Sequence, residues 1–174
     1  MEEPKDPSPE HANTPPDYAK IATRGEYHQA IRDAFALAAA GRSREILMCD
    51  EHFADWPLNE TSVVENLMQW ASPQRKLIVL ARGFDEIARQ HPRWVAWRRT
   101  WAHAVECRAN LELESGQLPT LLLIPGLLTL KLVDKVHYRG SVSRHAGDAV
   151  LARELFDSLL ERSEEAFPAT QLGL

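Results

Sequence analysis

Cysteine is nearly absent from the 174 residues: Cys49 and Cys107 stand alone, with no C-x-x-C spacing and no accompanying histidine pair. That argues against a disulfide framework and a cysteine-based zinc site, and two buried free thiols in a reducing compartment are the expectation. No run of 18 apolar residues occurs, so no membrane-spanning helix is expected. A glycine-rich phosphate loop and an internal repeat are also missing. Positive charge is in deficit: 25 acidic against 20 basic residues give a net charge of -5, which supplies no overall attraction to a phosphate backbone, and nucleic acid is not expected as a partner. The opening MEEPKDPSPE is acidic and proline-rich, the opposite of a signal peptide, so the expected location is the cytoplasm.

What is present is the mixture of a folded domain, 44% hydrophobic and 26% charged residues. Residues 1–20 carry Pro4, Pro7, Pro9, Pro15 and Pro16 among charges and read as a flexible tail, leaving 21–174 as one domain. Tyr27, Ala30, Ile31, Ala34, Phe35 and Ala38 recur at helical steps and Gly41 follows as a stop. REILMCD (44–50) and KLIVLAR (76–82) are short continuous apolar runs, the pattern of strands covered on both faces. Helices are predicted from Ser62 to Ala71, from Phe84 to Gln90 and from Pro92, which suits a first helical turn. The order αβαβα reads as an open, mainly parallel sheet with helices packed on it. VECRANLEL (105–113) reads as a strand, two or three further strands follow within 118–144 with a break at Pro125-Gly126, and a closing helix runs from about Gly147 to Glu165.

Chemistry-bearing side chains gather in and after LLTLKLVDKVHYRGS (127–141). His137 and Arg139 share a face by period-two alternation if both lie on a strand, and could bind an anion or act with Asp134. Arg144 and His145 open the last helix, where a helix N-terminus attracts anions. Lys131, Asp134, His137, Arg139, Ser141, Arg144 and His145 therefore form the candidate anion pocket; no catalytic residue, metal ligand set or cofactor is assigned. Trp94, Trp97 and Trp101 lie three and four residues apart, which suits either a base-stacking face or a stripe packed on the sheet; packing is favoured.

The order of strand, Asp134, hairpin, Gly140-Ser141 and a terminal helix LFDSLLERS resembles one half of the phospholipase D superfamily, and ILMCDEHF and KLIVLAR fit its earlier strands. The resemblance implies an α/β fold with a phospholipase D-like mixed sheet flanked by helices in a single domain. If Asp134 takes the place of the family's Asp, its nucleophilic His position falls on Leu127 and its Lys on Thr129; if Lys131 takes the Lys position, His falls on Thr129 and Asp on Val136. Neither register keeps the imidazole that attacks phosphorus. The C-terminal part also resembles small bacterial domains of unknown function appended to N-acetyltransferase-like proteins. Together these imply a non-catalytic binding or regulatory module. Its partner would be an N-acetyltransferase-like protein, a second copy in a homodimer, or a small anion. The competing readings are a phosphodiesterase or nuclease with a rearranged site using His137 or His145, and nucleic-acid binding without cleavage through the tryptophans and arginines. A histidine pocketed beside Asp134 or an arginine would favour the enzyme.

Overall fold

A computed structural model describes residues 16–169. Within them eight strands form one sheet: β1 Tyr18–Ile21, β2 Glu45–Cys49, β3 Lys76–Ala81, β4 Val105–Ala109, β5 Thr120–Ile124, β6 Leu128–Asp134, β7 Arg139–Ser143 and β8 Glu164–Glu165. The helices are α1 Arg24–Ala40, α2 Thr61–Trp70, α3 Asp85–Gln90, α4 Pro92–Thr100 and α5 Ala146–Glu161. The spatial order is β1-β7-β6-β5-β2-β3-β4-β8. Only β2–β3 and β3–β4 pair in parallel. The other five pairings are antiparallel, so the sheet is mixed and not mainly parallel as the αβαβα order predicts. Two of these, β5–β6 and β6–β7, follow from tight connections, which can join only antiparallel strands.

Alternation along each strand divides the core in two. Ile46, Met48, Leu77, Val79, Leu122, Leu130 and Leu132 point to the face covered by α1 to α4. Leu47, Cys49, Ile78, Leu80, Leu121 and Leu123 point to the opposite face, where Ala152 and Phe156 of α5 cover them. The runs EILMC, KLIVLA and TLLLI are apolar throughout because both faces are covered there. Helix α1 begins where the Thr23 hydroxyl accepts the Glu26 N–H at 3.1 Å while the Glu26 carboxylate accepts the Ala22 N–H at 2.7 Å, which satisfies two N–H groups at the helix entry.

Three local departures from the sequence pattern matter. Strand β1 begins at Tyr18, inside the stretch read as a tail; residues 1–15 lie outside the described residues. Helix α5 ends at Glu161, four residues before the periodicity suggests, because the Ser163 hydroxyl bonds the Leu160 carbonyl and Arg108 binds the Ser163 carbonyl at 2.6 Å. The chain then pairs with β4 and brings Phe167 against Phe84, centroids 5.3 Å apart, and over the guanidinium of the buried Arg98 at 4.7 Å. Cys49 and Cys107 are both buried and free; burial raises the Cys107 thiol to about 11 and the Cys49 thiol higher still, so both stay protonated at neutral pH.

Candidate functional site

Polar side chains gather in three places: the carboxyl rim of the sheet, the β6–β7 turn and the face of β1, β7 and β6 away from α1. In open α/β sheets ligands sit beyond the carboxyl ends of the parallel strands, at the point where strand order reverses. Here that point is β2, parallel to β3 and antiparallel to β5. Asp50 and Glu51 leave β2 at this end, but their acceptors are filled. The Asp50 carboxylate takes the Thr120 hydroxyl and the N–H groups of Phe53 at 2.8 Å and His52 at 3.2 Å. Glu51 takes the Ser115 hydroxyl at 2.7 Å and the Gly116 N–H at 2.9 Å, bonds that hold its carboxyl below the usual range. Lys135 donates to the Leu118 carbonyl at 2.8 Å and sits 3.7 Å from Asp50. This rim staples loops together.

At the β6–β7 turn the structure corrects the sequence reading. His137 does not share a strand face with Arg139, because Lys135–Tyr138 form the turn and β7 starts at Arg139. Asp134 accepts the backbone N–H groups of Val136 at 3.0 Å and His137 at 3.1 Å, which closes the turn before the second strand. Its second oxygen meets His137 Nδ1 at 2.8 Å. The His137 imidazole and the two turn N–H groups hold the Asp134 carboxyl below its ordinary range. The His137 side chain is 67% exposed, a turn-closing partner at the surface and not a pocketed base. Tyr138, at φ 53°, is held in the left-handed region against the Tyr27 ring 6.0 Å away, and its hydroxyl serves Asp55. Arg24 bonds the same Asp55 carboxylate at 2.7 Å. Burial raises the Asp55 pKa, but the Tyr138 and Arg24 bonds outweigh it and leave the group low.

The remaining candidates separate by place. Arg144 and His145 lie at the opposite end of β7, where His145 caps α5 and Ser143 bonds both the His145 N–H and the Asp148 carboxylate. Asp148 therefore already occupies the turn that was expected to take an anion. Lys131 and Ser141 are paired in register on β6 and β7, and Lys20 of β1 sits beside Ser141 on the other side. Arg139 is two residues along β7, so it points to the same face. This is the face away from α1, as Leu130, Leu132 and Val142 point to the other one.

The result is a bare sheet surface over β1, β7 and β6 with Lys20, Lys131 and Arg139 exposed, and with Tyr18 at its lower end, 49% exposed. Among the described residues none of the three cations has a carboxylate within 4.0 Å, whereas Arg24, Arg32, Lys76 and Arg153 do. Arg139 lies opposite Asp134 in register, yet that carboxylate is turned to His137. Sequence reading missed Lys20 by assigning it to the tail. The signal was there in Tyr18-Ala19-Lys20-Ile21, where polar and apolar positions alternate with the period of a half-buried strand.

The tryptophan stripe resolves in the core. Trp94 and Trp97 are buried, and Trp101 packs partly exposed beside them, so α4 offers no continuous stacking face. Among the described residues no helix is long and apolar enough to cross a membrane, and no group of three or more His, Cys, Asp or Glu side chains could hold a metal ion.

No family model matches the chain, and no curated protein matches it. Among solved structures it is similar to TrmBL2, an archaeal chromatin protein whose structure is described as showing a novel mode of DNA binding. The TM-score is 0.63 at 12% identity, with 91% of this chain and 57% of that chain covered, so this chain spans little more than half of its neighbour. The likeness is one of fold. It overturns the resemblance to a phospholipase D half domain and the binding module for a protein partner inferred from it, together with the exclusion of nucleic acid as a partner. What the hairpin has in common with phospholipase D is a strand-turn-strand with Gly-Ser, a small pattern that a mixed sheet of another kind also produces. Gly140 has a local reason of its own: a Cβ there would lie 2.1 Å from the Lys131 carbonyl oxygen.

Proposed function

We propose that this domain contacts DNA through the bare face of β1, β7 and β6, binding phosphates without reading base sequence. The observation that carries the reading is the group Lys20, Lys131 and Arg139 on one exposed sheet face with no carboxylate partner among the described residues. The fold shared with a DNA-binding chromatin protein supports it. Lys20, Ser141 and Lys131 form one row across three adjacent strands, and Arg139 stands one pair further along. The small anion that the sequence suggested for Lys131, Arg139 and Ser141 is, in this reading, a backbone phosphate.

The chain as a whole is acidic, so long-range attraction is weak and the contact depends on orientation. Three neutralised phosphates give a slope of log K against log salt of about -2.7, and non-specific affinity in the range of about 10⁻⁴ to 10⁻⁶ M. Fluorescence anisotropy of a labelled duplex tests this directly. Binding is expected to weaken about 40-fold between 50 and 200 mM salt. The triple variant Lys20→Gln, Lys131→Gln, Arg139→Gln is expected to lose it while keeping its fold by circular dichroism. Binding that ignores salt, or that survives the triple variant, refutes the reading.

A further inference from the structure

We propose that the acidic segment of residues 1–15 occupies the bare cationic face of β1, β7 and β6 and competes there with DNA. The inference rests on the DNA reading for its consequence, but the contact itself does not depend on DNA. Residues 1–15 contain Glu2, Glu3, Asp6 and Glu10 against the single cation Lys5. They precede Pro16 directly, and Tyr18, two residues further on, and Lys20, four further on, already belong to the bare face. The segment is therefore tethered at the edge of the surface that carries Lys20, Lys131 and Arg139.

Reach is not limiting. Fifteen extended residues span up to about 50 Å, whereas β1 and β6 are two strand spacings apart, roughly 10 Å. Charge chooses between the two surfaces next to Pro16. On the α1 side lies an apolar cavity of about 280 Å³ whose lining carries Glu26 and Asp33 against Lys20 and Arg144, so its charges balance. On the other side are three cations without carboxylate partners among the described residues. Asp134 and Asp148 are the nearby carboxylates there, and each is engaged, with His137 and with Ser143. A tethered competitor acts at an effective concentration of about a millimolar, so even a weak contact occupies the face for much of the time. Four prolines in the segment limit the entropy that docking removes.

The test uses the full chain in two arms. In the first, Glu2→Gln, Glu3→Gln, Asp6→Asn and Glu10→Gln are combined and duplex affinity is measured at 50 mM salt; a gain of about threefold to tenfold is expected. In the second, without DNA, Ser8→Cys carries a nitroxide, made selective by the burial of Cys49 and Cys107. Amide signals of Lys20, Lys131 and Ser141 are expected to broaden at low salt and recover at high salt, while those of α4 stay sharp. If the wild type binds DNA and the neutralised variant binds it no better, competition is refuted. If the wild type binds no DNA, the DNA reading fails and the nitroxide arm alone decides the contact. Broadening that is absent, or uniform over the molecule, overturns the proposal.

Discussion

The two halves of the sheet differ in what covers them. Over β5, β2 and β3 both faces are closed, by α1 to α4 on one side and α5 on the other. Over β1, β7 and β6 the α1 side is closed, while on the other side the start of α5 covers only Thr129 and Ser143 at one end and leaves Lys20, Lys131 and Arg139 exposed. The difference has a geometric cause. Eight strands extend across about 34 Å, while α5, with 16 residues, is about 24 Å long. A single helix cannot shield the whole width, and among the described residues there is no second one on that side. The sequence of each half is adapted to this: EILMC and TLLLI are apolar throughout, whereas YAKI, LTLKL and RGSVS alternate. The closed half supplies stability; the open half leaves Lys20, Lys131 and Arg139 exposed.

If that division is right, the largest effects on folding come from the closed half. Phe156→Ala removes a fully buried ring that holds α5 on the sheet, and a loss of about 3–5 kcal/mol is expected in urea unfolding. A loss below 1 kcal/mol would mean that α5 is not what closes this face. Next in size is Gly140→Ala on β7, between β1 and β6 in the open half. The added methyl would have to displace the Lys131 carbonyl, at a cost of about 1–3 kcal/mol, with amide shifts confined to β6 and β7.

A third test reads pH. His91 is buried between Phe84–Gln90 and α4, its Nε2 2.8 Å from the Phe53 carbonyl, and burial lowers its pKa despite that bond. The neutral ring donates from Nε2, an assignment set by the carbonyl partner. Because the unfolded chain takes up the proton first, stability is full above about pH 6.5 and declines as pH falls from there toward the folded value. His91→Asn is expected to flatten this decline; an unchanged slope would place the titration elsewhere. The smallest effect on stability belongs to the open half. Lys131→Gln and Arg139→Gln should each change it by less than about 0.5 kcal/mol. Each should nevertheless lower the salt slope of DNA binding by about 1, which is the sharpest form of the contrast.

Much of this architecture was readable in advance, and the failures have physical reasons. Continuous apolar runs identified β2 and β3, and helical periodicity identified α1 and α2, because burial on two faces or one stripe imprints itself locally. The direction of the strands after β4 was not readable, since antiparallel and parallel pairs bury the same side chains. His137 was misplaced because alternation assumes a strand, and two backbone bonds to Asp134 turn the chain there instead. Lys20 was lost to a composition argument: prolines and charges before it masked a four-residue strand.

The sequence alone determined that this is an α/β domain with no cysteine framework, and that Lys131, Arg139 and Ser141 lie near one another in a hairpin. Those are consequences of composition and of separations shorter than a strand pair. Only the tertiary structure decided that Lys20 joins them and that Arg144 and His145 fall at the other end. It also decided that Asp134 and His137 are consumed by a turn, and that α5 stops short of the sheet's edge. Such facts depend on register, crossing and the length of a covering helix, quantities that no local pattern encodes.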